Sequence, residues 1–191
     1  METVRGWVEQ TPEDFVFAIK ASRYMTHVKR LREPKKGGVA RFFDTLDPLR
    51  EAGKLGPILW QLPESFRRDD ARLSEALERV PSGDRHAFEF RHESWFTPEV
   101  YDLLRAHDVA LVVSDHPKWP FQTRELTAGW AYVRLHHGRR GRNGNYSEAE
   151  LDTWRRRMAA WRSRAEVYAY LNNEVKAHTL RNARRLATAF A

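Results

Sequence analysis

The sequence predicts an α/β protein, a parallel β/α barrel of about six strands. Three observations carry this expectation. Short apolar runs rich in β-branched and aromatic residues alternate with segments of helical period, and strand alternating with helix gives a parallel sheet. The runs are almost continuously apolar, as strands are when helices cover one face and helices or a barrel interior cover the other. Each run also gives way to a polar or ionised side chain at its end, where parallel β/α barrels carry their chemistry.

The elements follow in order. A first helix starts near Glu2 and includes Trp7, and it precedes a strand over 15–21. Helical spacing over 39–52 leads to a strand over 57–62, and spacing over 70–80 leads to a strand over 86–91. Thr97, Pro98 and Glu99 place a cap, a first-turn proline and an acid before a helix over 98–107. A fourth strand over 109–114 is followed by an irregular link, 115–129, and a fifth strand over 131–136. Ser147 and Glu150 form a capping box for a helix over 147–163, and a strand over 167–171 and a closing helix over 177–190 end the chain.

With 191 residues of ordinary apolar content the chain can bury a core, and it reads as one domain over 1–191. It has no cysteine, which excludes disulfides, thiolate metal sites and a cysteine nucleophile. METVRGWVEQTPED has no apolar core of signal-peptide length, and no later stretch approaches the roughly 20 apolar residues of a membrane span, so the expected location is cytoplasmic and no membrane partner is expected. No Gly-rich dinucleotide fingerprint or phosphate loop follows a strand. The formal charge is +7, with much of the excess in C-terminal arginines such as Arg139, Arg155, Arg157 and Arg185. Solvated helix faces account for this charge; nucleic acid is the alternative partner.

The polar strand ends form one series: Lys20 and Ser22; Gln61; Glu89, Arg91 and His92; Asp115; Arg134 and His136; Asn172 and Asn173. Side chains two apart on a strand share a face, so Lys20 with Ser22, Glu89 with Arg91 and Arg134 with His136 can project together. A sheet needing only stability would place Val or Ile there, because buried charge is costly without partners. Ion pairs plugging one barrel end, such as Glu89 with Arg134 or Asp115 with Arg91, are the structural alternative to a ligand site.

Lys20, Arg91 and Arg134 outnumber Glu89 and Asp115, which favours an anionic small molecule bearing phosphate or carboxylate. In that reading Lys20, Ser22, Gln61, Arg91, His92, Arg134, Asn172 and Asn173 bind substrate. Glu89 or Asp115 acts as general base, and His27 or His136 handles the complementary proton. Cofactors are not specified. A divalent metal on His27, His92, His136, His178, Glu89 and Asp115 is the less favoured reading, since no H-E-x-x-H spacing supports it, and His136 and His137 point to opposite faces if the strand reaches them. The stretch 138–144, glycine-rich and carrying Arg139, Arg140 and Arg142, is a candidate anion loop or a solvated one. A noncatalytic anion- or nucleic-acid-binding protein using the same rim is the rival to an enzyme, and an inactive truncated chain is the third reading.

FVFAIKASRYMTHVKRL (15–31), GPILWQLP (56–63), FEFRHESWF (88–96), YVRLHHG (132–138), NYSEAEL (145–151) and YLNNEVKAHTLRNA (170–183) together resemble the YecE-like domain-of-unknown-function family 72. The resemblance spans essentially the whole chain and implies a TIM-barrel-like fold. It places Lys20, Ser22, Thr26, His27, Gln61, Glu89, Arg91, His92, Ser94, Trp95, Asp115, Arg134, His136, Tyr146, Asn172, Asn173, His178 and Asn182 at family motif positions. It supplies no reaction; the likeness of the fold to metal-dependent sugar-phosphate isomerases and apurinic-site endonucleases is analogy alone. Family members begin with a strand, helix and strand absent here, which predicts a truncated barrel, through a misassigned start codon or a fragment, with open sheet edges prone to self-association.

Overall fold

The computed structural model describes residues 2–34, 37–139, 144–173 and 178–188. The chain divides into two compact units, 1–109 and 110–191, each taken by itself below.

The first unit opens with helix α1 (Glu2–Glu9), then β1 (Phe17–Lys20) and a single π turn at Tyr24–Val28. Two short helices follow, α2 (Gly38–Asp44) and α3 (Asp47–Glu51), where the spacing predicts one helix over 39–52. Pro48 accounts for the break: it has no N–H to continue the ladder and sits in the first turn of the new helix instead. Next come β2 (Leu55–Gln61), α4 (Asp70–Arg79), β3 (His86–Glu89) and α5 (Pro98–Ala106). The Asp69 side chain caps α4 by accepting the Arg72 N–H.

β2 lies between β1 and β3, parallel to both. Its run LGPILWQ is almost wholly buried, as the continuous apolar pattern requires for a central strand. β1 alternates half-buried with exposed residues. The register places Lys20 beside Leu59, and Gln61 beside Glu89. Leu49, Ile58, Leu62, Leu73, Leu77, Phe88, Phe90, Trp95 and Leu104 fill the core of this unit.

In the second unit the predicted strand over 109–114 is two short pieces, β4 (Ala110–Leu111) and β5 (Val113–Ser114). The Leu111 N–H donates to the Thr127 hydroxyl at 2.7 Å, so a side chain takes a bond that a regular ladder would use. β6 (Trp130–Leu135) pairs in parallel with β5 and with β7 (Glu166–Leu171). α6 (Glu148–Arg162) starts with the full Ser147–Glu150 capping box, and α7 (His178–Ala187) follows β7. Val113, Val133, Leu135, Leu151, Trp154, Met158 and Leu186 pack together here. Among the described residues no helix is long and apolar enough to cross a membrane.

Candidate functional site

The strand ends of the first unit form one hydrogen-bonded chain. Register makes Gln61 and Glu89 neighbours on adjacent strands, and the Gln61 amide Nε2 donates to Glu89 Oε2 at 3.0 Å. Arg91, two residues past Glu89 and beyond the end of β3, donates through Nε to Glu89 Oε1 at 3.0 Å. Lys20 pairs with Leu59, two residues before Gln61, and its Nζ donates to Gln61 Oε1 at 2.9 Å. Glu89 is 1% exposed, whereas Arg91 is half-buried and Lys20 is exposed. A desolvated carboxylate thus anchors one cation directly and a second through an amide.

His27 follows on the π turn. Burial holds its imidazole below the usual value, and the positive charges of Arg23, Lys20 and Arg91 add to this while Glu89 opposes it. The Thr26 hydroxyl lies 2.9 Å from His27 Nδ1 and donates to the Ser22 carbonyl at 3.0 Å. Ser22 accepts the Met25 N–H at 3.3 Å, so its side chain shapes the turn.

His92 caps its own short turn, Nδ1 lying 2.9 Å from the Ser94 hydroxyl, and Ser94 accepts the Arg68 N–H at 2.8 Å. Trp95 is fully buried, stacks on Phe90 at 4.6 Å and donates Nε1 to the Phe66 carbonyl, which makes it a packing residue.

The second unit gathers a different set. Asp115 Oδ1 accepts the His136 N–H at 2.8 Å, and Oδ2 accepts the Tyr146 hydroxyl at 2.5 Å. Burial pushes the Asp115 carboxyl up against the lowering effect of these hydrogen bonds, and burial with the Asp115 charge pushes the Tyr146 hydroxyl up as well. Arg134 donates through Nε and Nη2 to Asn172 Oδ1 at 3.2 and 3.0 Å.

Asn173, 3% exposed, has both ends of its amide engaged, donating to the Gly144 carbonyl and accepting from Thr179, while Asn182 donates to Asn145. These amides hold the 144–146 segment and the start of α7. β6 stops at Leu135, so strand alternation does not govern His136 and His137; the His136 ring instead meets His116 at 5.4 Å and Trp119 at 5.9 Å. His178 Nδ1 lies 2.6 Å from Arg181 Nη2.

Of the glycine-rich stretch, 140–143 fall outside the described residues. At its ends the Gly138 N–H donates to the Gly144 carbonyl at 2.8 Å, and a Cβ at Gly138 would collide with the backbone of Asn145 and Tyr146. Among the described residues no group of three or more His, Asp or Glu side chains is placed to hold a metal ion.

Arg124, Gln122, Ser114 and Arg157 were not site candidates from the sequence, yet they line a cavity of about 550 Å³ in the second unit. The irregular link that supplies half of this wall has no periodicity from which to place a side chain; its cue is the concentration of proline and aromatic residues in PKWPF, 117–121.

The family model for "Protein of unknown function DUF72" matches residues 1–191. The chain belongs to the DUF72 family. A curated relative, UPF0759 protein YunF of Bacillus subtilis (strain 168), is 26% identical over 87% of this chain and 70% of its own length. The crystal structure of a DUF72 family protein from Thermotoga maritima is similar with a TM-score of 0.83 at 32% identity, covering 98% of this chain and 79% of that one. A DUF72 structure from Enterococcus faecalis V583 gives a TM-score of 0.80 at 21% identity, over 99% of this chain and 83% of that one. The fold is therefore the TIM-barrel-like β/α fold of DUF72, with its parallel strands here in open ladders.

Proposed function

We propose that this DUF72 protein is a cytoplasmic enzyme acting on a phosphorylated or otherwise anionic small molecule at the C-terminal ends of its strands. The observation that carries the reading is the buried Glu89, which fixes Arg91 and, through Gln61, Lys20. Preorganised cations bind an oxyanion without paying again for their orientation. His27, neutral near pH 7 because its conjugate acid is disfavoured, supplies an acceptor for a substrate proton beside those cations. Glu89 is the alternative base. Asp115 and His136 are the corresponding candidate pair in the second unit, where Arg134, Asn172 and Asn173 are the candidate substrate-binding groups, as Ser22 and His92 are in the first.

A panel of sugar phosphates and small dicarboxylates, screened by thermal shift and then for turnover, tests this. At least one compound should raise the melting temperature, and Lys20→Ala or Arg91→Ala should weaken its binding by about tenfold or more. Glu89→Gln should abolish turnover in a folded protein; unchanged turnover in that variant sinks the reading. The charge of +7 favours a second reading, a noncatalytic polyanion binder, whose signature is polynucleotide affinity that falls steeply with salt. β1, with exposed Phe15 and Val16 just before it, favours self-association in either case.

A further inference from the structure

We infer that the cleft between α6 and the 114–124 segment is a separate anion site that takes a small phosphomonoester carrying hydroxyl groups. It shares Asp115 with the reading above but rests on none of the first unit's residues, because every residue lining it belongs to the second unit. Its volume of about 550 Å³ is that of a small-molecule site.

Arg157 reaches the cleft from α6, half-buried, with its guanidinium 5.0 Å from the Trp154 ring centroid. Arg124 lines the same cleft from the loop. Burial, and then repulsion from Arg124, hold Arg157 below its usual value, with Asp115 acting the other way.

The two lining carboxylates are already committed. Asp115 accepts from His136 and Tyr146, and Glu150 accepts from the Arg139 N–H and from Ser147. Among the described residues neither Arg124 nor Arg157 has a carboxylate partner within ion-pair distance. Two like-charged guanidiniums in a partly desolvated cleft are costly until a counter-anion enters, and their planar forks suit a phosphate.

Neutral groups set the rest of the ligand. Ser114 is 8% exposed, and its Oγ is buried without a hydrogen-bond partner; so is Gln122 Oε1, and both residues line the cleft. Gln122 Oε1 can only accept, so it calls for a donor beyond what a phosphate dianion offers, and a ligand hydroxyl meets it.

Isothermal titration with glycerol 3-phosphate, inorganic phosphate and glycerol tests the assignment. The protein should carry Lys20→Ala and Arg91→Ala, which removes the cations proposed for the first unit. One glycerol 3-phosphate should still bind, several-fold tighter than inorganic phosphate, and glycerol should not bind. Arg124→Gln and Arg157→Gln should each weaken it about tenfold, whereas Arg155→Gln should leave it unchanged. Arg124 is exposed, so its replacement carries the test even if the Arg157 variant fails to fold. Loss of all binding in the Lys20/Arg91 background, affinity indifferent to Arg124→Gln, or equal affinity for phosphate and glycerol 3-phosphate would each overturn the inference. None of these outcomes depends on the first unit's site.

Discussion

The two units make the same cross-strand contact and then use their carboxylates differently. Lys20 pairs with Leu59 and donates to Gln61, two residues on; Arg134 pairs with Tyr170 and donates to Asn172, again two residues on. In each case a parallel neighbour brings a cation diagonally onto an amide. The acids diverge. Glu89 meets the Arg91 guanidinium and an amide, while the hydrogen bonds to Asp115 come from neutral donors, a phenol and a backbone N–H. A buried carboxylate with a cationic partner is stabilised as an anion, whereas one with neutral donors feels its desolvation, and the Asp115 carboxyl is pushed up accordingly.

The contrast can be broken most severely at Glu89. Glu89→Ala leaves Arg91 and Gln61 without their acceptor and should cost about 3 kcal/mol in urea unfolding, more than any single change at Asp115. A loss under about 1 kcal/mol would mean that the charge pairing adds little.

Tyr146→Phe is next, at about 2 kcal/mol, since it removes a hydrogen bond to a charged group. That bond lowers the Asp115 carboxyl, so the variant should drive it further up in a carboxyl-carbon NMR titration. A folded-state carboxyl raised above 3.8 binds more protons than the unfolded chain, so the Asp115 contribution to stability declines as pH rises from 3.8 through the raised value. In Tyr146→Phe that declining range should widen.

The smallest effect belongs to His27. Its folded-state value is depressed below 6.5, so the unfolded chain binds more protons and stability is lost as pH falls from 6.5 through the depressed value. His86, depressed by burial, acts in the same direction. His27→Gln should remove part of the slope and leave the His86 part; a variant that unfolds with the full wild-type slope would show that His27 is not shielded.

Much of this was legible because the signal is local. A run such as PILWQ ending in a polar residue declares both a strand and its C-terminal end, and period two then puts Glu89 with Arg91. Register is a property of two strands, so no single segment revealed that Gln61 bridges Lys20 to Glu89. The split at Pro48 was readable in principle but outweighed by the helical spacing around it. Asp115 was visible as a strand end, but its phenol partner lies 31 residues away, beyond an irregular link. Arg124 and Arg157 stood among many arginines, and only folding distinguishes a guanidinium in a cleft from one on a solvated helix face.

Gly138 gives the second unit an unexpected remote control. Its N–H clasps the Gly144 carbonyl, and the space a methyl group would need is occupied by the backbone that carries Tyr146. A side chain there cannot be absorbed by a rotamer change, so the phenol must shift with its main chain. The proton affinity of Asp115 is in this way wired to the smallest residue in the fold, at a position that never touches the acid itself.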